Sequence, residues 1–343
     1  ILYRLVGSEM CIRDSGGTNQ NINEVKKLPE HEVPGIKLFL GSSTGNMLVD
    51  DYDVVEKLFE ISKVPIVVHS EDDKIINENL KNFKEKYGEQ NLRPEMHANI
   101  RSSIACLKST EKIISLAKKT NGRLHVFHLS TKEEAKLFDN QNDLKNKKIT
   151  SEVCIHHLSF HDEDYKTKGN FIKWNPSIKT IEDQDALWDA LISDKIDVIA
   201  TDHAPHTLDE KNQSYVDCPS GGPLVQHSLY IMYEHFLEKR ISLEKIVEKM
   251  CHNPAILFNI KKRGFIREGF FADLVILRKN QSWVINKNNI LYKCGWSPFE
   301  GKKINSMITH TFVSGNLAYE NGVFNQNIIC LLYTSPSPRD GIG

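Results

Sequence analysis

The chain has 343 residues and a formal net charge of −1, which comes from 44 basic and 45 acidic side chains. This near-neutral balance gives no sign of a nucleic-acid partner. The sequence contains no run of 18 apolar residues, so it shows no membrane span either.

The two ends of the chain do not resemble natural protein. Residues 5–14 and 330–340 can be encoded by the two strands of one DNA stretch, which is typical of translated sequencing adapter. We therefore expect 1–15 and 330–343 to be artefacts and exclude them from the fold. The natural part then lies within 16–329, and we expect its true N-terminus to be missing.

Cysteine usage indicates the compartment. Five cysteines lie within the natural part, namely Cys106, Cys154, Cys218, Cys251 and Cys294. An odd number without CxxC or other paired spacing is typical of free thiols in a reducing cytosol, so we predict a cytoplasmic protein. The length predicts one large domain with a small appendage.

Short β-rich runs alternate with helical patterns along most of the chain. The predicted strands are 35–40, 64–70, 123–130, 149–157 and 196–202. The predicted helices are 53–62, 109–120, a segment that Thr131 is placed to cap, and 183–193. Strands that are buried on both faces and separated by helices indicate parallel βαβ units.

The pattern changes after a further predicted helix at 251–260. Short strands with Gly and Asn turns follow it. We therefore predict a larger domain over 16–262 and a small β-subdomain over 263–329.

Potential metal ligands stand near the carboxyl ends of the predicted strands. They are Lys37, His69, His128, His156 or His157, and Asp202. In a (β/α)8 barrel the active site gathers at that face, and imidazole and carboxylate suit zinc. Each residue also has a structural alternative: a lysine extended to solvent, a core histidine or a helix cap. We interpret His156 and His157 as structural.

The chain resembles the amidohydrolase superfamily and, within it, the dihydroorotases of the hydantoinase-like branch. The motifs that carry the resemblance are, in order, GIKLFLGSSTGNMLVDD, VVHSEDD, RLHVFHLST, KWNPSIKT, ATDHAPHT, CPSGGP and FADLVIL. They cover essentially all of 16–329. The resemblance implies a (β/α)8 TIM-type barrel of the metal-dependent amidohydrolase kind, present as strands four to eight, plus a small C-terminal β-subdomain.

The same resemblance implies a centre of two zinc ions bridged by N6-carboxylated Lys37. A lysine ammonium cannot bind a cation, whereas the carbamate that it forms with CO2 is an anion with two oxygens. His69 and His128 would hold one zinc ion. Asp202 would hold the other and act as the catalytic general base.

Substrate contacts are also implied. His206 would donate to the carboxylate of dihydroorotate, and relatives that hydrolyse hydantoins or allantoin usually lack histidine at this place. Asn175 and the backbone of Ser220 and Gly221 match substrate-binding positions, with a structural turn as the alternative. His203 is interpreted as structural.

One departure from the family pattern concerns its first strand. The expected His-x-His pair and the substrate-binding arginine after it are absent, and by spacing they would lie upstream of Gly16. We expect the strand that carries Lys37 to lack its neighbour. We also expect the 343-residue chain alone to be inactive and prone to aggregate.

The predicted function is that of a dihydroorotase, which interconverts N-carbamoyl-L-aspartate and dihydroorotate in pyrimidine synthesis. Another cyclic-amide hydrolase, a dihydropyrimidinase, hydantoinase or allantoinase, is one alternative. A non-catalytic scaffold for aspartate transcarbamoylase is another, although a scaffold needs no metal ligands. The expected partners are a small-molecule substrate and either a second copy of the chain or aspartate transcarbamoylase, with no nucleic acid and no membrane.

Overall fold

The structure is a computed structural model that describes residues 15–28, 33–41, 48–49 and 51–325. The adapter predictions for 1–14 and 330–343 lie outside these residues. Residues 42–47 of the GSSTGNM motif lie outside them as well.

A parallel sheet forms the larger part of the fold. Its strands follow chain order and each pairs in parallel with the next along the chain. They are β1 (Ser15–Gly16), β2 (Ile36–Phe39), β3 (Ile66–His69), β4 (Leu124–Val126), β5 (Ile149–Cys154) and β6 (Val198–Ala200). Neighbouring strands that follow each other in sequence, with helices between them, confirm the predicted βαβ units of a barrel.

Helices connect these strands and continue after the last one. In chain order they are α1 (Ile22–Val25), α2 (Tyr52–Ile61), α3 (Asp73–Tyr87), α4 (His97–Ile100), α5 (Ser103–Thr120), α6 (Lys132–Ala135), α7 (Ile155–Ser159), α8 (Tyr165–Lys168), α9 (Ile181–Ile192), α10 (Leu208–Lys211), α11 (Ser228–Leu237), α12 (Leu243–Val247) and α13 (Asn253–Leu257). A π-helical turn, Glu248–His252, joins the last two, and 3-10 turns occupy Glu89–Asn91, Pro94–Met96, Asp162–Asp164, Gly169–Ile172 and Val225–His227.

Side-chain caps begin several of the helices. The Asp51 carboxylate accepts from the Asp53 and Val54 amides at the start of α2. The Thr131 hydroxyl accepts from the Glu134 amide, which confirms the predicted cap of α6. Each cap satisfies an amide that has no partner within its helix, so α2 begins at Tyr52, one residue before its predicted start, and α6 begins at Lys132.

The strands bury different residues on their two faces. Ile36, Leu38, Ile66 and Val68 join the main apolar core, in which α2 and α5 also pack. Val67 instead packs in a second cluster with Phe127, Val198, Leu257 and Phe258. Because side chains alternate along a strand, the odd-numbered positions of β2 and β3 face the barrel interior. That interior face carries Lys37 and His69.

The strand that carries Lys37 has a neighbour on each side. Gly16 of β1 pairs with Lys37, and Ser15 pairs with Ile36. The Gly17 amide extends this pairing by donating to the Lys37 carbonyl oxygen at 2.9 Å. The expectation that the strand of Lys37 lacks a neighbour is therefore wrong at Lys37. The two residues of β1 are enough to pair with the backbone of β2 at this point.

A separate antiparallel sheet follows the barrel elements. Its order is β10-β9-β8-β7, from β7 (Leu274–Val284), β8 (Lys303–Val313), β9 (Asn316–Glu320) and β10 (Val323–Phe324). Helix α11 packs on it, since the Tyr230 hydroxyl accepts from the Ile308 amide at 3.0 Å and Glu234 accepts from Asn305. A barrel with a small β-subdomain is thus confirmed, while the boundary at 262 remains a prediction.

Within the described part of the chain, no helix combines the length and apolar character that crossing a bilayer would require.

Candidate active site

Lys37 lies on the inner face of β2 and is buried, with 5% of its surface exposed. Its Nζ lies 3.8 Å from the centre of the Phe127 ring and 5.0 Å from that of Phe39. Its charge also acts on Asp202 and His128, where it disfavours the protonated form of each. The charge of Lys37 is therefore felt by both His128 and Asp202.

His69 and His128 form the closest contact of the site. Nδ1 of His69 lies 3.1 Å from Nε2 of His128, and both rings are buried. Burial is the main cause that holds the pKa of His128 well below its ordinary value, and the charge of His69 adds to it. His128 is therefore neutral at physiological pH, which is the form that binds metal ions.

Two residues that the sequence analysis did not assign support His69. Oε2 of Glu71 lies 2.9 Å from Nε2 of His69, and Arg101 forms an ion pair with the same carboxylate. Burial alone would raise the pKa of Glu71, but Arg101 and His69 outweigh it and hold that pKa well below its usual range. Glu71 stands two positions after His69 in the VVHSEDD motif, which was an available signal, whereas nothing local pointed to Arg101.

Asp202 follows β6, and its main chain adopts an unusual conformation. Its φ is +47°, and that of His128 is +38°. L-residues adopt this left-handed region at a cost in free energy, and such residues cluster at functional sites. Burial raises the pKa of the Asp202 carboxyl, against the charges of Lys37 and His69, so the carboxylate is a stronger base than an exposed one.

Glu152 of β5 adds a further carboxylate that the sequence analysis did not assign. It is buried, raises the pKa of Asp202, and lies 3.2 Å from Nε2 of His125. His125 also contacts the Thr150 hydroxyl at 2.9 Å. The acidic character of the site therefore extends beyond Asp202.

Asn175 lies on a segment that His97 holds in place. Nε2 of His97 contacts the Trp174 carbonyl oxygen at 2.7 Å, and Nδ1 contacts the Tyr215 hydroxyl at 2.8 Å. Oδ1 of Asn175 is buried without a hydrogen-bond partner, and the bond from Asn175 to Pro176 is cis. A buried amide oxygen of this kind can accept a hydrogen bond from a ligand.

His206 contacts the segment that contains Ser220 and Gly221. Its Nε2 lies 3.2 Å from the Ser220 carbonyl oxygen. Gly221 has φ +127°, and a Cβ there would lie 2.5 Å from the Ala204 carbonyl oxygen, so only glycine fits. Its amide donates to the Lys173 carbonyl oxygen at 2.8 Å. Gly221 therefore shapes the segment, and its amide is already engaged within the protein.

Other histidines near the site have structural contacts. Nδ1 of His203 accepts from the Leu224 amide at 2.9 Å, in agreement with its structural interpretation. His156 stacks on Trp174, with ring centres 4.4 Å apart. The ligand atoms of Cys154, His156 and His157 lie within 4.8 Å of one another, which makes this group an alternative place for a metal ion.

The predicted ligands fit a metal ion chemically. Two imidazole nitrogens converge between His69 and His128, and the other nitrogen of His69 is fixed by a carboxylate, as is usual for metal-binding histidines. Asp202 offers carboxylate oxygens, and Lys37 would offer two further oxygens only if it were carboxylated. This donor set is the one that the sequence predicted.

Comparison with known proteins places the chain in a family. The sequence profile of the amidohydrolase family matches residues 50–318. A protein named dihydroorotase from Endomicrobium trichonymphae is 32% identical over 259 residues, which are 75% of this chain and 60% of the relative. A dihydroorotase from Pyrococcus furiosus is 31% identical over 291 residues, 84% of this chain and 62% of the relative.

A solved structure extends the comparison to the fold. The L-hydantoinase (dihydropyrimidinase) from Arthrobacter aurescens superposes with a TM-score of 0.82 at 25% sequence identity, over 90% of this chain and 70% of that one. The chain spans about three fifths of the length of the two relatives above. Since the family profile covers most of the sequence and the fold agrees with it, the chain belongs to the amidohydrolase family.

Proposed function

We propose that the protein is the greater part of a zinc-dependent dihydroorotase, which interconverts N-carbamoyl-L-aspartate and dihydroorotate. The observation that carries the proposal is the convergence of Lys37, His69, His128 and Asp202 inside the barrel, with 3.1 Å between the two imidazole nitrogens. The relatives named dihydroorotase support the choice of reaction.

In this proposal His69 and His128 would hold one zinc ion, Asp202 would hold the second, and Lys37, once carboxylated, would supply further oxygen ligands. When bound, the zinc ions would acidify a water molecule and polarise the amide carbonyl. A carboxylate of Asp202 accepts the proton of that water and returns it to the departing ring nitrogen. The buried position of Asp202, which raises its pKa, suits this exchange of a proton.

The remaining predicted residues select and orient the substrate. His206 donates to the carboxylate of dihydroorotate, and the unpaired Oδ1 of Asn175 accepts from a ring N–H. The backbone at Ser220 borders the same space, because its carbonyl oxygen contacts His206. A substrate held by these contacts would present its ring amide to Asp202, the proposed general base.

The experiment compares turnover of dihydroorotate, hydantoin and allantoin, with zinc content measured in the same samples. It uses the 343-residue chain and the same chain joined to the upstream segment of a dihydroorotase relative. We expect preferential turnover of dihydroorotate and two zinc ions in the extended protein. Preference for hydantoin or allantoin would favour the other cyclic-amide hydrolases.

The scaffold alternative makes a different prediction. A non-catalytic subunit would bind aspartate transcarbamoylase without zinc and without turnover of any of the three amides. The presence of Lys37, His69, His128 and Asp202 argues against it, because a scaffold needs no metal ligands. Association with aspartate transcarbamoylase or with a second copy, and a cytoplasmic location, remain predictions.

A further inference from the structure

Two buried lysines hold the segment that borders the substrate site. We call residues 214–222 the 214–222 loop. Nζ of Lys173 donates to the Tyr215 carbonyl oxygen at 2.6 Å and to that of Cys218. Nζ of Lys211 donates to the carbonyl oxygens of Pro219 and Gly221, both at 2.9 Å. Each ammonium group thus binds two carbonyl oxygens of one loop.

The same loop is tied to the segments that carry the other predicted substrate residues. The Gly221 amide donates to the Lys173 carbonyl oxygen, two residues before Asn175. The Ala204 amide donates to the Gly222 carbonyl oxygen at 3.2 Å, on the segment that leads to His206. A change in the 214–222 loop would therefore displace the other contacts of the substrate.

The charges of these lysines lack a carboxylate partner in direct contact within the described residues. Lys211 has 1% of its surface exposed and Lys173 has 7%. The charge of Glu210 acts on Lys211, and that of Asp217 acts on Lys173. Both carboxylates are exposed, and each accepts a hydrogen bond from a hydroxyl group, that of Thr207 or Ser214 respectively. A buried ammonium group without an ion pair is costly to a fold, so two of them beside one loop call for a reason.

An anionic substrate provides that reason. Each lysine donates to carbonyl oxygens of the loop itself, so both positive charges lie against the segment whose Ser220 carbonyl oxygen contacts His206. Burial raises the pKa of the Cys218 thiol in this loop, and the charges of Lys211 and Lys173 oppose that rise. In a partly buried site of low effective dielectric constant, the positive potential of the two lysines favours a ligand that carries a carboxylate.

We propose that Lys173 and Lys211 are positioning residues that fix the 214–222 loop and make the site selective for an anionic cyclic amide over a neutral one. The inference rests on the proposed function and adds residues that act on the substrate through the loop. The hydrogen bonds from the two lysines set the shape of the loop. Their positive charges set the preference of the substrate site for an anion.

The test separates these two effects with paired substitutions in the extended protein, the chain joined to the upstream segment of a dihydroorotase relative. Lys211→Met removes the donor and the charge, whereas Lys211→Gln removes the charge and keeps an N–H donor on a side chain that is one bond shorter. Lys249→Met is the control at a distant lysine: Lys249 is equally buried, donates to the Ile196 carbonyl oxygen before β6, and pairs with Asp194 at 2.8 Å. Amide hydrogen exchange reports on the loop, and calorimetric titration with dihydroorotate and with dihydrouracil reports on selectivity.

We expect Lys211→Met to speed amide exchange in the 214–222 loop and Lys211→Gln to leave it near that of the unmodified chain. Both should lower the preference for dihydroorotate over dihydrouracil about tenfold, the effect of one charge acting across a partly buried site. Lys249→Met should change neither quantity. Should Lys211→Met fail to fold, the charge effect is still measured in Lys211→Gln.

Different failures lead to different conclusions. A preference for dihydroorotate that survives in both Lys211 variants, or unchanged exchange in Lys211→Met, would overturn this inference alone. An unmodified chain that binds dihydrouracil more tightly than dihydroorotate would overturn the proposed function and the anion selectivity with it.

Discussion

Nδ1 of His69 and Nε2 of His128 face each other across 3.1 Å, on the segments that end two neighbouring parallel strands. On the other side of His69, Glu71 lies 2.9 Å from Nε2 and fixes the proton there. This leaves the lone pair of Nδ1 directed at His128. In the proposed function, this pair would hold a cation.

The role of Lys37 can be tested through metal content. In the chain joined to the upstream segment of a relative, Lys37→Ala removes the group that would bridge two zinc ions, so we expect zinc and dihydroorotate turnover to be lost together. Added short-chain carboxylates should restore part of both, since they replace the carbamate. Lys57→Ala, on the exposed face of α2, is the control. Full zinc occupancy with normal turnover in Lys37→Ala would assign Lys37 a structural role.

His206 is expected to recognise the substrate carboxylate. Loss of one hydrogen bond to a charged group typically costs about 1.5–3 kcal/mol, so His206→Ala should reduce dihydroorotate processing roughly ten- to a hundredfold. Zinc content should stay normal in His206→Ala. The control His310→Ala, in β8 of the antiparallel sheet, should change neither dihydroorotate processing nor zinc content. An equal loss on a cyclic amide without the carboxylate would instead indicate a structural role for His206.

The Glu71–Arg101 ion pair should matter to both stability and metal binding. Glu71→Gln removes one charge of a buried ion pair with Arg101, which typically costs about 3 kcal/mol. It also removes the carboxylate that orients His69, so zinc affinity should fall about tenfold or more. Denaturant unfolding and zinc titration measure the two effects. Glu85→Gln, in an exposed pair with Lys81, should change neither, and a Glu71→Gln protein as stable as that control would refute the argument.

Much of the barrel could be predicted from the sequence because its signal is local. Alternation along β2 and β3 places Lys37 and His69 on the inner face, and Thr131 caps its helix as expected. The predicted strand at 123–130 is shorter in the structure, ending at Val126, because the left-handed backbone of His128 cannot continue a ladder. The predicted strand at 149–157 likewise ends at Cys154, where α7 begins.

Contacts between distant segments account for what the sequence did not reveal. Arg101 reaches Glu71 across 30 positions, and Lys173 reaches Cys218 across 45. No periodicity or local motif encodes such a pairing, because it depends on how α4 and the 214–222 loop pack on the barrel. For the same reason, Glu152 was recognised only from its place beside Asp202.

The stability of the protein should depend on the protonation of Glu134. Burial raises the pKa of this carboxyl from 4.5 to about 7, against hydrogen bonds from Thr110 and Thr131. Folding therefore favours the protonated form of Glu134. The contribution of this carboxyl to the free energy of unfolding is full below pH 4.5 and is lost as the pH rises through about 7. A rise of this size corresponds to about 3 kcal/mol.

Glu134→Gln keeps the neutral form at every pH. Unfolding measured from pH 4.5 to 8 should show the variant losing less stability than the unmodified chain over this range. The neighbouring Glu133→Gln, on an exposed side chain paired with Lys136, should follow the unmodified chain. Parallel curves for all three proteins would mean that Glu134 is ionised in the fold throughout.

The location of zinc tests the central claim most directly. Anomalous diffraction at the zinc absorption edge, from crystals of the zinc-loaded protein, locates the metal without reference to activity. We predict a peak in contact with Nδ1 of His69 and Nε2 of His128, on the side that faces Lys37 and Asp202. A peak at Cys154, His156 and His157, with none between His69 and His128, would contradict the account.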